Sequence, residues 1–346
     1  MFQIREATPD DNQALLRLES QSPQGTGISI IIDRADYFYR SRIHDRSKVM
    51  IAEEDDKLVG VMAFAVKDAL LEGSVEKVAY FYDLRGEASY RRSMKRGLFR
   101  LWKAVAEVIE EQKAEFIYGH VKADNYASLS VVTKMGAQEV ASFDILSLPS
   151  LRGRAFELDP HLERLEEEVE RIESHVGERC MRPPSLRIPY GRGAELGYLK
   201  GIFRLTGTRS FAQVSAWDLS SIYRGRVLHM PLNLRLLGAG LNPFARILPV
   251  PRVPVKGERI AYLQLFDPIC KGPGGPALLK RLIQQLRRNA YQTGIDILTL
   301  FLYRDDPLAS LPHFFPEKVL HYNTMVRPLS SSRMPEAPLY LDIRDI

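Results

Sequence analysis

The sequence is poor in cysteine, with only Cys180 and Cys270 in 346 residues. Two distant cysteines make neither a disulfide framework nor a metal-ligand spacing. Its seven histidines are scattered, without an HExxH motif or a Cys/His cluster, so no metal is expected. Nor is there an apolar run approaching the roughly 18 residues of a membrane span, and no membrane partner is expected. The opening "MFQIREATPDDNQALL" has acids where a signal peptide needs an apolar core, which points to a cytoplasmic protein. Charge of one sign is also lacking: the net +5 is mild, and nothing in the balance alone calls for nucleic acid.

What is present is the composition of a globular chain, 45% hydrophobic and 26% charged, with 15 Tyr and 15 Phe to fill cores. The length exceeds one ordinary core and suggests two domains. Along the first part, "QIRE" reads as a strand, and Thr8 and Pro9 start a helix whose inner face carries Ala14, Leu15 and Leu18. "ADYFYRSRIH" reads as a second short helix. "KVMIAEEDDKLVGVMAFAV" is a hairpin turning at Glu54–Lys57, and "EKVAYFYDLR" is a strand ending near Arg85.

After the basic turn "GEASYRRSMKRG", Leu98, Leu101, Trp102, Val105 and Ile109 fall at helical spacing. The strand "AEFIYGHV" follows. Asp124 and Asn125 can cap a helix from about Tyr126 to Met135, and Gly136 supplies a left-handed stop. "GAQEVASFDILSL" closes the series. The resulting order, β-α-α-β-β-β-α-β-α-β, predicts an α/β (α+β) fold with a mixed central sheet flanked by helices.

With these residues in that order, 1–149 resembles the GNAT family of acetyl-CoA-dependent N-acetyltransferases. The resemblance rests on "IREATPDD", "IAEEDDKLVGVMAF", "YRRSMKRG" and "NYASLSVVTKMGA". It implies that the strand ending near Arg85 splays from its neighbour and that an acyl-CoA thioester lies in the gap. The turn and helix start would hold the diphosphate through Arg91, Arg92, Lys95, Arg96 and Gly97, with Leu84, Asn125 and Ser128 as further cofactor contacts. Helix starts favour such anions because their amides are free and their dipole is positive. The family pattern is Arg or Gln, two residues, Gly, one residue, Gly or Ala, and Lys95 stands where its first glycine belongs. Without the resemblance, this segment reads as a basic, solvated helix start.

The chemistry needs a neutral amine, a donor at the thioester carbonyl and a proton for the thiolate. Asp83 is the expected proton acceptor, with Tyr82 beside it; the plainer reading of Asp83 is a strand-end cap. The family's general acid, a Tyr seven residues after the Asn, is Val132 here, and its aromatic after the terminal Gly is Ala137. No Cys or Ser nucleophile constellation occurs, so direct attack in a ternary complex is expected. The acceptor would be a small-molecule or peptide amine. Two rivals stand beside this reading: a catalytically inactive CoA-binding or regulatory module, and, more weakly, a nucleic-acid binder using the basic segment 91–103.

Further on, "HLERLEEEVERIESHVGER" carries an apolar stripe and reads as a helix, docking on its own domain or in a homodimer. The Pro/Gly-rich "RCMRPPSLRIPYGRG" completes a connector, 150–195. In 196–346 the pattern returns. "SFAQVSAWDL", "RIAYLQLFDPI" and "IDILTLFLY" read as strands, and Pro276 starts a helix with Leu278, Leu279, Leu282, Ile283 and Leu286 inside. "DDPLAS" repeats "ADNYAS" at an offset of 182, which predicts a second, degenerate GNAT-like unit covering or shaping the acceptor cleft. Over most of its length the chain is similar to the plant HOOKLESS-type acetyltransferases.

Overall fold

In the computed structural model the described residues are 2–23, 28–44, 46–87, 91–151, 159–165, 186–187, 196–220, 222, 224–244, 252–304, 306–310, 317–329, 334–336 and 339–345; for 91–96, 186–187, 196, 307, 310 and 343 the backbone alone is described. Strands β1 (Phe2–Glu6), β3 (Ser47–Glu54), β4 (Lys57–Leu71) and β5 (Ser74–Gly86) form an antiparallel run, with β2 (Ser29–Ile32) outside it. The β3–β4 turn falls where "EDDK" predicts it. Asp55 and Asp56 adopt φ of 50° and 60°, which short acidic side chains tolerate.

Helix α1 (Asn12–Ser20) lies on one face and α3 (Arg91–Glu111) on the other; α2 (Tyr39–Arg42) is a single turn. The α3 stripe read from the sequence is buried: Leu101, Val105 and Ile109 are each fully covered. Next come β6 (Phe116–Lys122), α4 (Tyr126–Lys134) and β7 (Gln138–Pro149). Gly136 has the left-handed φ of 89° expected of a helix stop.

The second unit repeats the pattern. Strands β8 (Leu162–Leu165), β10 (Leu199–Thr206), β11 (Phe211–Trp217) and β14 (Tyr262–Lys271) run antiparallel. After them come α6 (Gly275–Gln292), β15 (Ile297–Tyr303) and β16 (Lys318–Pro328). A small sheet joins β2 to β12 (Gly225–His229) and β13 (Arg259–Ile260), with α5 (Leu232–Leu241) after β12. Short β9 (Leu186–Arg187) and β17 (Leu339–Tyr340) pair with each other at the edge of β4.

The sheet order through the centre is β5-β6-β16-β7-β15-β14. That order is unchanged if the units are interchanged: β16 of the second inserts between β6 and β7 of the first, and β7 inserts between β16 and β15. Both new neighbours of β16 are antiparallel to it. The repeat extends to backbone detail. A bulge with positive φ occurs at Asp83 (53°) in β5 and again at Asp267 (52°) in β14.

One expectation is corrected. Leu162–Leu165 is not a helix but an edge strand pairing with β10, from Leu165↔Ile202 to Leu162↔Leu205. Leu162 and Leu165 are half-buried at its two ends while Glu163 and Arg164 are exposed, so the start of the apolar stripe serves a sheet edge. Residues 166–179 of that segment lie outside the described residues.

Candidate functional site

Strands β5 and β6 run parallel and pair at only two positions, Ala79↔Ile117 and Tyr80↔Tyr118. Beyond Tyr80 the bulge at Asp83 bends β5 away. Phe81 still lies against Gly119 of β6, where a Cβ would come within 2.9 Å of the Phe81 carbonyl oxygen. From Tyr82 onward the β5 edge has no strand paired to it on this side among the described residues, and its main-chain groups face a gap. A cleft of about 930 Å³ occupies that gap and crosses the sheet. On the α3 side it is lined by Trp102, Val132 and Met135; on the α1 side by Tyr80, Tyr82 and His120. Both units contribute, since Gln264, Phe301 and Tyr322 line it as well.

Of the residues expected at this site, Tyr82, Asp83, Leu84, Asn125 and Ser128 line the cleft. Asn125 is the N-cap of α4, its side chain accepting a hydrogen bond from the Ser128 amide at 3.1 Å. Asn125→Ala is expected to lower stability by about 0.5–2 kcal/mol through loss of this cap, read as a fall in the denaturant midpoint. Gly97 sits elsewhere: a Cβ there would lie 2.9 Å from the Phe2 ring, so its smallness serves the packing of α3 on β1. The side chains of Arg91, Arg92, Lys95 and Arg96 lie outside the described residues; the backbone places them in the first turns of α3.

Asp83 is buried among guanidinium groups. Arg34 Nη2 lies 3.2 Å from Oδ2, while Arg40 Nη1 and Arg85 Nη2 lie 3.2 and 3.5 Å from Oδ1. Glu19 holds Arg34 at 2.8 Å and Arg85 at 2.9 Å. Burial alone would raise the Asp83 pKa, but Arg40, Arg34 and Arg85 outweigh it and hold the carboxyl well below the usual range. Both of its oxygens face guanidinium donors, so neither is free to take a proton from a substrate. Its electrostatic work is to pin the bulge, together with the plane of Arg40 over the Tyr82 ring at 4.6 Å.

The floor of the cleft is a second polar cluster. Lys67, buried in β4, pairs with Asp342 at 2.9 Å and with Asp345. Tyr118 Oη donates to Asp345 Oδ2 at 2.6 Å, and Tyr80 Oη donates to the Asp345 carbonyl while accepting from Arg40 at 2.7 Å. Asp345 lines the cleft. Burial raises its carboxyl pKa, with Lys67 opposing.

His120 stands on the wall next to this floor. Its ring lies 5.7 Å from Tyr80 and meets Phe143 edge-on at 5.1 Å. Its Nδ1 is 3.2 Å from the Thr324 hydroxyl of β16, while Nε2 is buried with no hydrogen-bond partner among the described residues. Burial, reinforced by the charges of Arg40 and Lys67, lowers its pKa to about 3, so the imidazole is neutral. His44, 5.8 Å from Tyr80 between ring centroids, is likewise held neutral by burial, then by the charge on Lys67.

These two histidines set an acid limit on stability. Each is neutral when folded but takes up a proton near pH 6.5 when unfolded, so the unfolded chain binds more protons below that pH. Stability is full above pH 6.5 and falls on acidification by up to about 1.4 kcal/mol per unit for each histidine. Unfolding free energies measured from pH 7 to 5 are expected to show this slope, and His44→Phe is expected to halve it.

The second unit has the same opening in closed form. Strands β14 and β15 pair from Tyr262↔Ile297 to Leu265↔Leu300 and then diverge at the Asp267 bulge. Across that divergence Tyr340 Oη donates to Asp267 at 2.8 Å and the Leu341 amide donates to Tyr303 Oη at 2.7 Å. The glycine loop before α6 is satisfied by its own unit: the Gly274 amide donates to Ser210 Oγ at 3.0 Å. The segment that closes this wedge continues into Asp342 and Asp345 at the floor of the open one.

A duplicated mixed sheet with a bulged strand splaying from its parallel neighbour defines the fold class as GNAT. Among solved structures, the chain is similar to N-myristoyltransferase from Saccharomyces cerevisiae with bound myristoyl-CoA and inhibitors. That match has a TM-score of 0.59 at 10% identity and covers 100% of this chain and 83% of that one. A second structure of the yeast enzyme with bound myristoyl-CoA matches with a TM-score of 0.56 at 10% identity, covering 100% of this chain and 82% of that one. A GCN5-related N-acetyltransferase from Anabaena variabilis matches with a TM-score of 0.51 at 12% identity, over 95% of this chain and 73% of that one. No family model and no curated protein sequence matches the chain. Among the described residues no group of His, Cys, Asp or Glu is arranged to hold a metal.

Proposed function

We propose that the protein transfers an acyl group from a CoA thioester to an amine, with the thioester held in the β5–β6 wedge. The observation that carries this reading is the open wedge itself, which pairs at two positions and then exposes an unpaired strand edge. The neighbours fit it, since the yeast structures are described with bound myristoyl-CoA. The units 1–149 and 196–346, joined by 150–195, act as one cytoplasmic enzyme. The first binds the donor; the second closes its own wedge and orients the first. The donor in our reading is acetyl-CoA, and the motif likeness to HOOKLESS-type acetyltransferases supports an amine acceptor, whether small molecule or peptide.

In this scheme the cofactor's diphosphate sits at the start of α3 near Arg91, Arg92, Lys95 and Arg96, where free amides and positive charge coincide. Its arm passes Leu84, Asn125 and Ser128. Arg327 of β16 adds a cation, stacked 5.0 Å over Trp102 with Nη1 buried and unpartnered among the described residues. Unpaired amides of the bulged edge polarise the thioester carbonyl. The amine nitrogen forms a bond to carbon, the carbon–sulfur bond breaks, and the thiolate takes a proton from solvent.

The amine's proton goes to His120 Nε2 rather than to Asp83. In the tautomer that carries its proton on Nδ1, which then donates to Thr324, Nε2 keeps its lone pair; the amine becomes strongly acidic as it bonds to the carbonyl, so a weak base suffices. Thr324→Val is expected to lower kcat by up to about 10²-fold at unchanged KM, checked by steady-state kinetics. Transfer is tested by thiol release from acetyl-CoA and longer acyl-CoA donors against an amine panel. Binding of CoA without release would support the inactive-module reading, which Val132 favours because it puts no hydroxyl on the α4 wall.

A further inference from the structure

Among the described residues, nine large hydrophobic side chains are exposed, and six of them lie between Leu228 and Val255: Leu228, Leu232, Leu236, Leu237, Phe244 and Val255. Leu232, Leu236 and Leu237 share one side of α5 and are 66%, 65% and 49% exposed. The opposite side of that helix is fixed. Gly238 packs against Val253, and the Asn242 side chain makes two 2.9 Å hydrogen bonds with the Val253 backbone. The apolar face therefore has a firm backing and points outward.

The charge around it is net positive. No Asp or Glu occurs between Asp218 and Glu258, whereas Arg224, Arg226, Arg235, Arg246, Arg252 and Lys256 fall in that span. Arg226 pairs with Asp33, and Arg252 with Glu258 and Asp296, which leaves Arg224, Arg235 and Lys256 as the described cations of that span with no acidic partner among the described residues. A second copy of this chain would bring like charges together, and an acidic polymer would leave the leucines in water. An anionic bilayer satisfies both features, because leucines enter the headgroup boundary while arginines meet lipid phosphates and carboxylates.

We propose that the exposed leucine face of α5 docks the protein on an anionic lipid surface. No described helix is long and apolar enough to cross a membrane, so the attachment is peripheral. The patch adjoins the cleft, since Ile30 and Gly225 of the small sheet line it, together with Ile28 and Arg224 just before those strands. A cleft mouth held against lipid would meet amphiphilic substrates where they partition.

The test is co-sedimentation of the full chain with vesicles, scored without cofactor or turnover, so that its failure leaves the transfer reading intact. Binding is expected to vesicles with about 30 mol% phosphatidylserine, to be absent with phosphatidylcholine alone, and to weaken with salt. Leu232→Ser/Leu236→Ser and Arg235→Glu are each expected to lower partitioning at least roughly tenfold, with unchanged circular dichroism and CoA binding. Three results would overturn the proposal. One is no binding to anionic vesicles, and another is binding unaffected by either variant. The third is a wild-type dimer that the leucine variant dissolves, which would give the face to a second copy.

Discussion

Replacing Asp83 by asparagine is expected to destabilise the fold by about 3–5 kcal/mol, because it removes one of two carboxylates balancing three buried guanidiniums. Asn is the informative substitution: it keeps the shape and tolerates the φ of 53° at the bulge, so the loss reports charge rather than backbone strain. Glu19 alone would face Arg34 and Arg85, while Arg40 would lose its carboxylate and keep its bond to Tyr80 Oη. Urea unfolding measures the loss. Adding Arg40→Gln is expected to recover part of it, since the double variant restores charge balance, and the coupling energy follows from the cycle. A loss under about 1 kcal/mol would mean that water already screens the cluster and that the bulge is held by other means.

His120→Gln is expected to lower kcat by about 10²–10⁴-fold, the range spanned by a positioned proton acceptor. Gln keeps polarity at the site but cannot take a proton at neutral pH. Affinity for the CoA donor is expected to stay unchanged, because His120 lies on the α1 side of the wedge, past the last paired position. The wild-type kcat–pH profile is expected to show no inflection near pH 6.5, since the imidazole is neutral above about pH 3. Unchanged turnover in the variant would return the proton to another group, with Asp345 on the cleft floor as the next candidate.

The local parts of this structure were legible in the sequence. The turn at Asp55–Asp56, the α3 stripe, the Asn125 cap and the Gly136 stop are set by a few adjacent residues, whose propensities and spacing act over one or two turns of chain. The duplication was visible because its two copies keep the same order. The insertion of β16 between β6 and β7 was not, because sheet order depends on residues far apart and β16 has mixed polarity, without an alternation of its own.

The site divides in the same way. Asn125, Ser128 and Leu84 were read from motifs, and the cleft contains them. The floor was missed because Lys67 meets Asp342 and Asp345 across more than 270 positions. A signal did exist: Lys67 directly follows the apolar run "GVMAFAV" within one strand, and His120 stands next to last in "AEFIYGHV". A polar group inside a buried run calls for a partner, and such partners cluster at functional sites. Asp83 was read as lying at the strand end; it sits at a bulge three residues before β5 stops, and its three arginine neighbours, which come from separate elements, change its chemistry.

Titration calorimetry with CoA tests the central claim most directly. One CoA per chain is expected, because the first wedge is open and the second is bridged by Tyr340 and Leu341, and Ser128→Trp is expected to abolish binding by crowding the α4 wall. No heat with folded protein at millimolar CoA, or two equivalent sites per chain, would contradict the account.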